Sequence, residues 1–181
     1  MREGEAMPVV VYFSRAQENL VDGSMQNLVT GNTKCLAEKI ACQLNCSTYA
    51  LEPVAPYPKR YKKTLIRAEL EKGKQLLPEI KALPHDFSDE SVIFLGFPTW
   101  WGSYPLVIDS FLKQLLLTEK QLYPFCTHEG SGFGESLIVL KKRYPTACVK
   151  VGLPVRGSRV MKADEAVKNW LSHYYCEKER K

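Results

Sequence analysis

Three stretches of this chain carry side chains suited to holding a ligand, and each follows directly on an apolar run. In "VVVYFSRAQENLVDGSMQNLVTGNTKCLAEKIA", Ser14 ends the run Val9–Phe13, and Gly31, Asn32 and Thr33 open a helical pattern. A helix start presents unpaired backbone N–H groups and the positive end of its dipole, so it favours an anion. Asn32 and Thr33 add side-chain donors, and Ser14 can approach from the strand end. An ordinary Asn or Thr helix cap would use the same residues. Neither G-x-x-x-x-G-K-[ST] nor G-x-G-x-x-G follows the first run, which argues against those triphosphate and dinucleotide sites. A single phosphate held by hydroxyls and amides remains.

The second stretch is "GFPTWWGSYPLVIDSFL". Adjacent residues of an extended chain point to opposite sides, so Trp100 and Trp101 cannot both enter one core layer. At least one must be exposed or cover something flat, and an indole face suits a planar ring. Ser103 is expected to cap the helix whose apolar side is Val107, Ile108 and Phe111. The third stretch, "PFCTHEGSGFGES", sets Thr127, His128 and Ser131 beside Gly130, Gly132 and Gly134, which let a backbone approach a ligand closely. A Gly-rich turn before a helix also occurs without any ligand, and His128 serves equally as a simple hydrogen-bonding group. Taken together, the three describe a site for a monophosphate joined to a planar polar heterocycle, the shape of flavin mononucleotide (FMN).

The elements that must position these residues follow from the hydrophobic pattern. Continuous apolar runs mark strands buried on both faces: Val9–Phe13 and Ser91–Phe97, then more weakly Ser47–Glu52, Leu122–Thr127 and Ala147–Gly152. Pro124 suggests that the fourth starts late or irregularly. Helical patterns fall between them, from Asn32, over Tyr61–Leu76 and Val107–Leu115, over Glu135–Tyr144 and over Met161–Tyr174. Alternation of strand and helix predicts an α/β fold with a doubly wound, five-stranded parallel sheet in a single domain, residues 1–181. Ligands of such sheets bind beyond the carboxyl ends of the strands. Between Ser14 and Gly31 the chain is too long for a simple strand-to-helix turn, and Asp22-Gly23 flanked by apolar residues predicts a hairpin inserted there. It would cover the ligand, form a dimer surface, or only pack on the neighbouring helix.

Length and composition bound the rest. A chain of 181 residues can bury a sizeable core. No stretch approaches the ~18–20 apolar residues of a membrane span, and no leader precedes the first strand, so a cytoplasmic protein without membrane association is expected. The six cysteines show no C-x-x-C and no zinc spacing, so no metal site is expected, and most should be buried, reduced thiols. A redox pair such as Cys42 and Cys46 has no support. Net charge is +5, yet the basic residues lack interleaved aromatics or a nucleic-acid motif, and Lys62–Lys74 has the pattern of a solvated helix face. A nucleic-acid partner is not expected.

At this point the chain resembles the flavodoxin-like family. "YFSR…GNTK" looks like its phosphate loop, "GFPTWWGSYPLVIDSFL" like its aromatic loop and "PFCTHEGSGFG" like its third loop, while "APYPKRYKKTLIRAELEKGKQLLPEI" looks like a segment of one subgroup. The resemblance implies a flavodoxin-like fold and FMN as cofactor. It implies that Ser14, the Arg15 backbone, Gly31, Asn32 and Thr33 hold the phosphate. Pro98, Thr99, Trp100 and Trp101 would line the isoalloxazine, and Thr127, His128, Gly130, Ser131 and Gly132 would meet its polar edge. Two departures stand out: Arg15–Val29 separate the serine from "GNT", and Glu129 stands where a small residue would be comfortable.

The function this implies is electron transfer by an FMN-binding redox protein, exchanging electrons with a redox partner protein. The alternative is an FMN-dependent NAD(P)H:quinone-type oxidoreductase with a small electron acceptor, in which Arg15, Arg156 and Arg159 could meet a nicotinamide cofactor's phosphates. A third reading is a binding module that keeps the fold without flavin. No catalytic side chain is assigned, and a homodimer is compatible with the sequence.

Overall fold

The computed structural model describes residues 7–179. The expectation about a leader falls on residues 1–6, and part of the C-terminal basic excess on Arg180 and Lys181, outside the described residues. Four-residue β1 (Val9–Tyr12) is wholly buried, as its unbroken Val-Val-Val-Tyr run requires of a central strand. Its flanks are β4 (Thr48–Ala50) and β5 (Val92–Pro98), both parallel to it, and β5 pairs in turn with β6 (Gln121–His128). The edge beyond β6 is a fifth strand in two pieces, β7 (Cys148–Val149) and β8 (Leu153–Arg156), each parallel to β6. The spatial order is therefore β4-β1-β5-β6-β7, with β8 continuing the last position.

Side chains alternate between two apolar layers, which explains why the strands carry no polar spacing. Val10, Tyr12, Phe94, Tyr123 and Phe125 face α1 (Asn32–Leu44) and α5 (Asp164–Glu179). Val9, Val11, Ile93, Leu95, Phe97 and Leu122 face α3 (Val107–Leu112), α4 (Ser136–Arg143) and the segment around Leu51 and Phe87. Leu36, Ala37, Ile40, Ala41 and Leu44 bury one stripe of α1, and Asn45 ends the helix in the left-handed region with its N–H and that of Cys46 returned to the last carbonyls. Helix α2 (Tyr61–Lys74) buries only Thr64, Ala68 and Glu71, so its charged face is solvated as expected. Among the described residues no helix is long and apolar enough to cross a membrane.

The inserted hairpin is real. Strands β2 (Gln17–Val21) and β3 (Ser24–Leu28) pair antiparallel as a separate two-stranded sheet. Asp22 and Gly23 both take positive φ, 53° and 80°, the geometry of a two-residue turn that matches strand twist.

Several expectations need correction. Strand β6 does not start late: Pro124 lies within a continuous ladder to β5, paired with Leu95. Its effect falls on the neighbouring strand. Lys120 and Leu122 accept hydrogen bonds from Cys148 and Lys150, so the even-numbered positions of β6 face the fifth strand. Pro124 faces it too but offers no N–H, and the fifth strand breaks there, instead of running over 147–152. The last helical pattern is a 3-10 turn, Gly157–Lys162, followed by α5, and α3 ends at Leu112 because the chain tightens into turns. Ser103 does not cap α3; it is buried and its backbone pairs in both directions with Trp100, while α3 starts without a side-chain cap. The six cysteines are free, but only Cys126 is buried, while Cys42, Cys148 and Cys176 are exposed because they sit off the apolar stripe or at the sheet edge.

Candidate functional site

The chain runs outward from β1 to β4 and then returns to β5 on the other side of β1. The carboxyl ends of β1 and β5 therefore flank the point where strand order reverses. A cleft opens there, lined by Arg15, Asn32 and Thr33, by Pro98, Thr99 and Trp100, and by Thr127 and His128.

The end of the cleft at the start of α1 is assembled across the hairpin insertion. Ser14 Oγ accepts a hydrogen bond from the Lys34 N–H at 3.0 Å, so the serine caps α1 from twenty residues upstream. Asn32 and Thr33 are free of that duty, and the ordinary-cap reading is overturned: α1 follows Gly31 with no capping bond from its own side chains. Gly31 is what lets the two halves meet. A β-carbon there would stand 2.4 Å from both the Arg15 carbonyl oxygen and Ser14 Oγ, closer than real contacts allow. Thr33 Oγ1 lies 2.8 Å from Thr127 Oγ1, buried, which ties the first loop to the third. Thr99 Oγ1 donates to the Gly132 carbonyl at 2.7 Å, and Glu135 N donates to Gly102 O at 2.7 Å, tying the second to the third.

Trp100 forms the aromatic wall. It packs edge-on against Phe13 and Tyr57, with ring centroids 5.5 and 5.1 Å away. Tyr57 is itself fixed by its hydroxyl donating to Glu71 at 2.5 Å and by Arg67 lying 4.2 Å over its ring. Trp101 leaves the cleft. Its backbone is left-handed, and its indole N–H donates to the Leu65 carbonyl on α2 at 2.9 Å. Two adjacent tryptophans thus serve two different surfaces, one lining the cleft and one on α2.

His128 Nδ1 accepts a hydrogen bond from Gly130 N–H at 3.0 Å. Burial holds its pKa below the ordinary value, and Arg156 adds to this against the opposing pull of Glu129. The neutral ring therefore carries its proton on Nε2, a donor available to an acceptor. Burial pushes the Cys126 thiol up to about 12, so it stays protonated and is no thiolate nucleophile beside the cleft.

Of the sequence candidates, Gly31 and Ser14 close the joint between β1 and α1 without lining the cleft, and Gly130, Ser131 and Gly132 form the turn behind His128, also off the cleft lining. Trp101 stands apart. Arg15 lines the cleft, but its guanidinium is spent on the Pro58, Lys59 and Glu18 carbonyls, where it clamps the hairpin base to the start of α2. Sequence reasoning missed Asn19 and Leu20 of the hairpin, Tyr61 and Gly157, all of which line the same cleft. Asn19 and Leu20 carried a signal only through the hairpin's expected position over a ligand, and Gly157 as a glycine directly after the fifth strand.

A parallel sheet of this order, with an anion-seeking helix start and an aromatic wall at its reversal point, defines the flavodoxin class of α/β proteins. The family model described as Flavodoxin matches residues 26–174, and the chain belongs to that family. Among solved structures it is similar to a provisionally assigned flavoprotein from Bacteroides eggerthii DSM 20697, 27% identical with a TM-score of 0.73, covering 93% of this chain and 97% of that one. A provisionally assigned flavoprotein from Bacteroides uniformis ATCC 8492 shares 22% identity with a TM-score of 0.75, over 92% and 98%. A flavoprotein from Lactobacillus acidophilus NCFM, solved in complex with FMN, shares the fold at 21% identity and a TM-score of 0.65, over 92% and 99%. No curated protein matches the chain.

Proposed function

We propose that this cleft binds FMN and that the protein is a flavodoxin-like carrier of electrons between redox partners. The observation that carries this reading is the closure of the phosphate loop: Gly31, seated against Ser14 and Arg15, brings Asn32 and Thr33 into one cleft with Trp100. The donor set fits a monophosphate. Asn32 and Thr33 belong to the first turn of α1, whose N–H groups have no partner within the helix. Ser14, Asn32 and Thr33 would hold the phosphate, Trp100 would cover the ring system, and the neutral His128 would donate to its polar edge. Bound FMN supplies the redox chemistry, while the protein binds, orients and shields it. The Lactobacillus relative's complex with FMN supports the same reading.

The carrier is favoured over a nicotinamide-using oxidoreductase because two of the three arginines named for a nicotinamide phosphate, Arg15 and Arg156, are engaged within the fold, by carbonyls and by Asp22 and Glu129 respectively. A net charge of +5 favours an acidic partner surface. Purified protein is expected to be yellow and to release FMN on denaturation; a colourless protein that cannot be reconstituted with FMN overturns the reading. Stopped-flow mixing with NADH and NADPH separates the two roles. Slow or absent flavin bleaching with both supports the carrier, and rapid bleaching with turnover on added quinone establishes the oxidoreductase.

A further inference from the structure

Behind the aromatic wall of the cleft lies a second cavity, of about 570 Å³, that the flavin reading does not use. Phe13 and Leu51, both buried just past the ends of β1 and β4, belong to its lining, and most of the run Glu52–Lys59 supplies the rest of one side. Arg15 is the one residue that lines both spaces. Otherwise they are divided by rings: Phe13 and Tyr57 line this cavity and pack against Trp100, which lines the cleft.

The backbone of that run is already spent. Pro53, Pro56 and Pro58 have no N–H, and Val54 gives its own to the Glu79 carbonyl. The Ala55 and Pro56 carbonyls accept from Arg67, and those of Pro58 and Lys59 accept from Arg15. The Glu52 carbonyl takes the Lys81 N–H. An extended peptide, which binds by adding its backbone to a free row of such groups, finds little to pair with here. What the run offers instead is apolar surface, the Tyr57 ring and three prolines, with Val54 49% exposed.

Charge, by contrast, is left over. The lining holds Arg15, Lys59 and Lys81 against the single carboxylate of Glu52. Lys81 pairs with Glu52 at 2.8 Å. Arg15 directs its donors at carbonyls and at Asn19, so it adds positive charge without a free hydrogen bond. Lys59 has no ion-pair partner among the described residues. Apolar walls with a few placed charges, in a volume of roughly 300–1,000 Å³, are the mark of a small-molecule site.

We propose that this cavity is a second ligand site, taking a flat organic acid whose aromatic body packs on Phe13, Tyr57 and the prolines and whose carboxylate meets Lys59. The site stands independently of the FMN reading. Only its corollary rests on that reading: since a wall of rings divides the two spaces, the acid and the flavin are bound together and not in exchange.

The test is calorimetric titration of apoprotein with 2-naphthoate and its neutral counterpart 2-naphthamide, in wild type, Lys59→Gln and Val54→Trp. Both substituted positions are exposed, and a denaturation midpoint checks that each variant folds. Wild type is expected to bind the acid about three- to fivefold more tightly than the amide, the scale of one solvent-exposed charge pair. Lys59→Gln should equalise the two ligands, and Val54→Trp, which fills the cavity, should weaken both by about tenfold. Absence of binding by wild type, an unchanged acid-to-amide ratio in Lys59→Gln, or full binding by Val54→Trp overturns the proposal. FMN titrations at rising naphthoate then place the acid. An FMN affinity that stays constant or levels off supports a separate site, whereas one that falls in proportion to naphthoate without limit puts the acid in the cleft and overturns it. Failure of FMN to bind at all sinks the cleft reading alone, because the naphthoate titrations of apoprotein stand without it.

Discussion

Trp100 and Trp101 are neighbours in sequence with unrelated jobs. Trp100 packs nearly perpendicular to Phe13 and Tyr57 and lines the cleft, while Trp101 turns through a left-handed backbone to hydrogen-bond α2. Losing an aromatic stack of this kind costs roughly 0.5–1.5 kcal/mol beyond the buried area. Trp100→Ala is therefore expected to weaken FMN binding by about ten- to a hundredfold, and Trp101→Ala by about threefold or less. Titration of apoprotein with FMN reads both, and equal losses would show that the two indoles share the site. The sequence required the pair to split but could not say which way, because the direction is set by the turn at Trp101 and Gly102, with φ of 50° and 73°.

Among the elements, the joint between β1 and α1 is the most exacting. It must close around a hairpin that runs from Gln17 to Leu28 and still present a helix start to the cleft. Gly31→Ala tests this, since its methyl group would overlap the Arg15 carbonyl and Ser14 hydroxyl. Overpacking of this kind costs about 1–3 kcal/mol, and because the displaced groups cap α1, FMN affinity should fall by about tenfold alongside the denaturation midpoint. A stable variant with unchanged affinity would show that the two halves need not touch. The strands and helices here were readable because their apolar periods are long: β1 and β5 as continuous runs, α1 as a stripe from Leu36 to Leu44. The hairpin was readable from the over-long gap between Ser14 and Gly31 and from Asp22-Gly23 with its apolar flanks, a turn chemistry that few other geometries use. The places where sequence failed depend on partners far along the chain. Ser14 capping α1, Arg15 turned to Pro58 and Lys59, and Tyr61 and Gly157 reaching the cleft are all settled by tertiary packing.

For the whole molecule, the site's geometry and the fold's stability reside in different layers. Asp109 on α3 is fully buried and accepts hydrogen bonds from Tyr104 at 3.0 Å and Tyr144 at 2.8 Å, with Arg143 as its ion partner. None of these residues lines the cleft. Breaking a buried ion pair from one side leaves an uncompensated group, so Asp109→Ala is expected to cost ~3–5 kcal/mol in denaturant unfolding. FMN affinity below the unfolding transition should stay within about twofold of wild type. A large change in affinity with little loss of stability would invert that division. The basic net charge also belongs here: it would bear on the approach of a partner and does not locate the cleft.

The break in the fifth strand has a mechanical consequence. Pro124 leaves a seam in the sheet, and the chain between Val149 and Leu153 crosses it held by the Lys150 N–H on Leu122 and by Trp170 on the Val151 carbonyl. Beyond that seam lie Arg156 and Gly157, the part of the edge that touches the hairpin tip and the cleft. This short run is expected to open locally before β7 does, so the rim of the cleft would respond apart from the edge strand that precedes it. Amide protons just past the seam should then exchange with solvent on a faster clock than those of β6, and slow down when a ligand draws the rim closed.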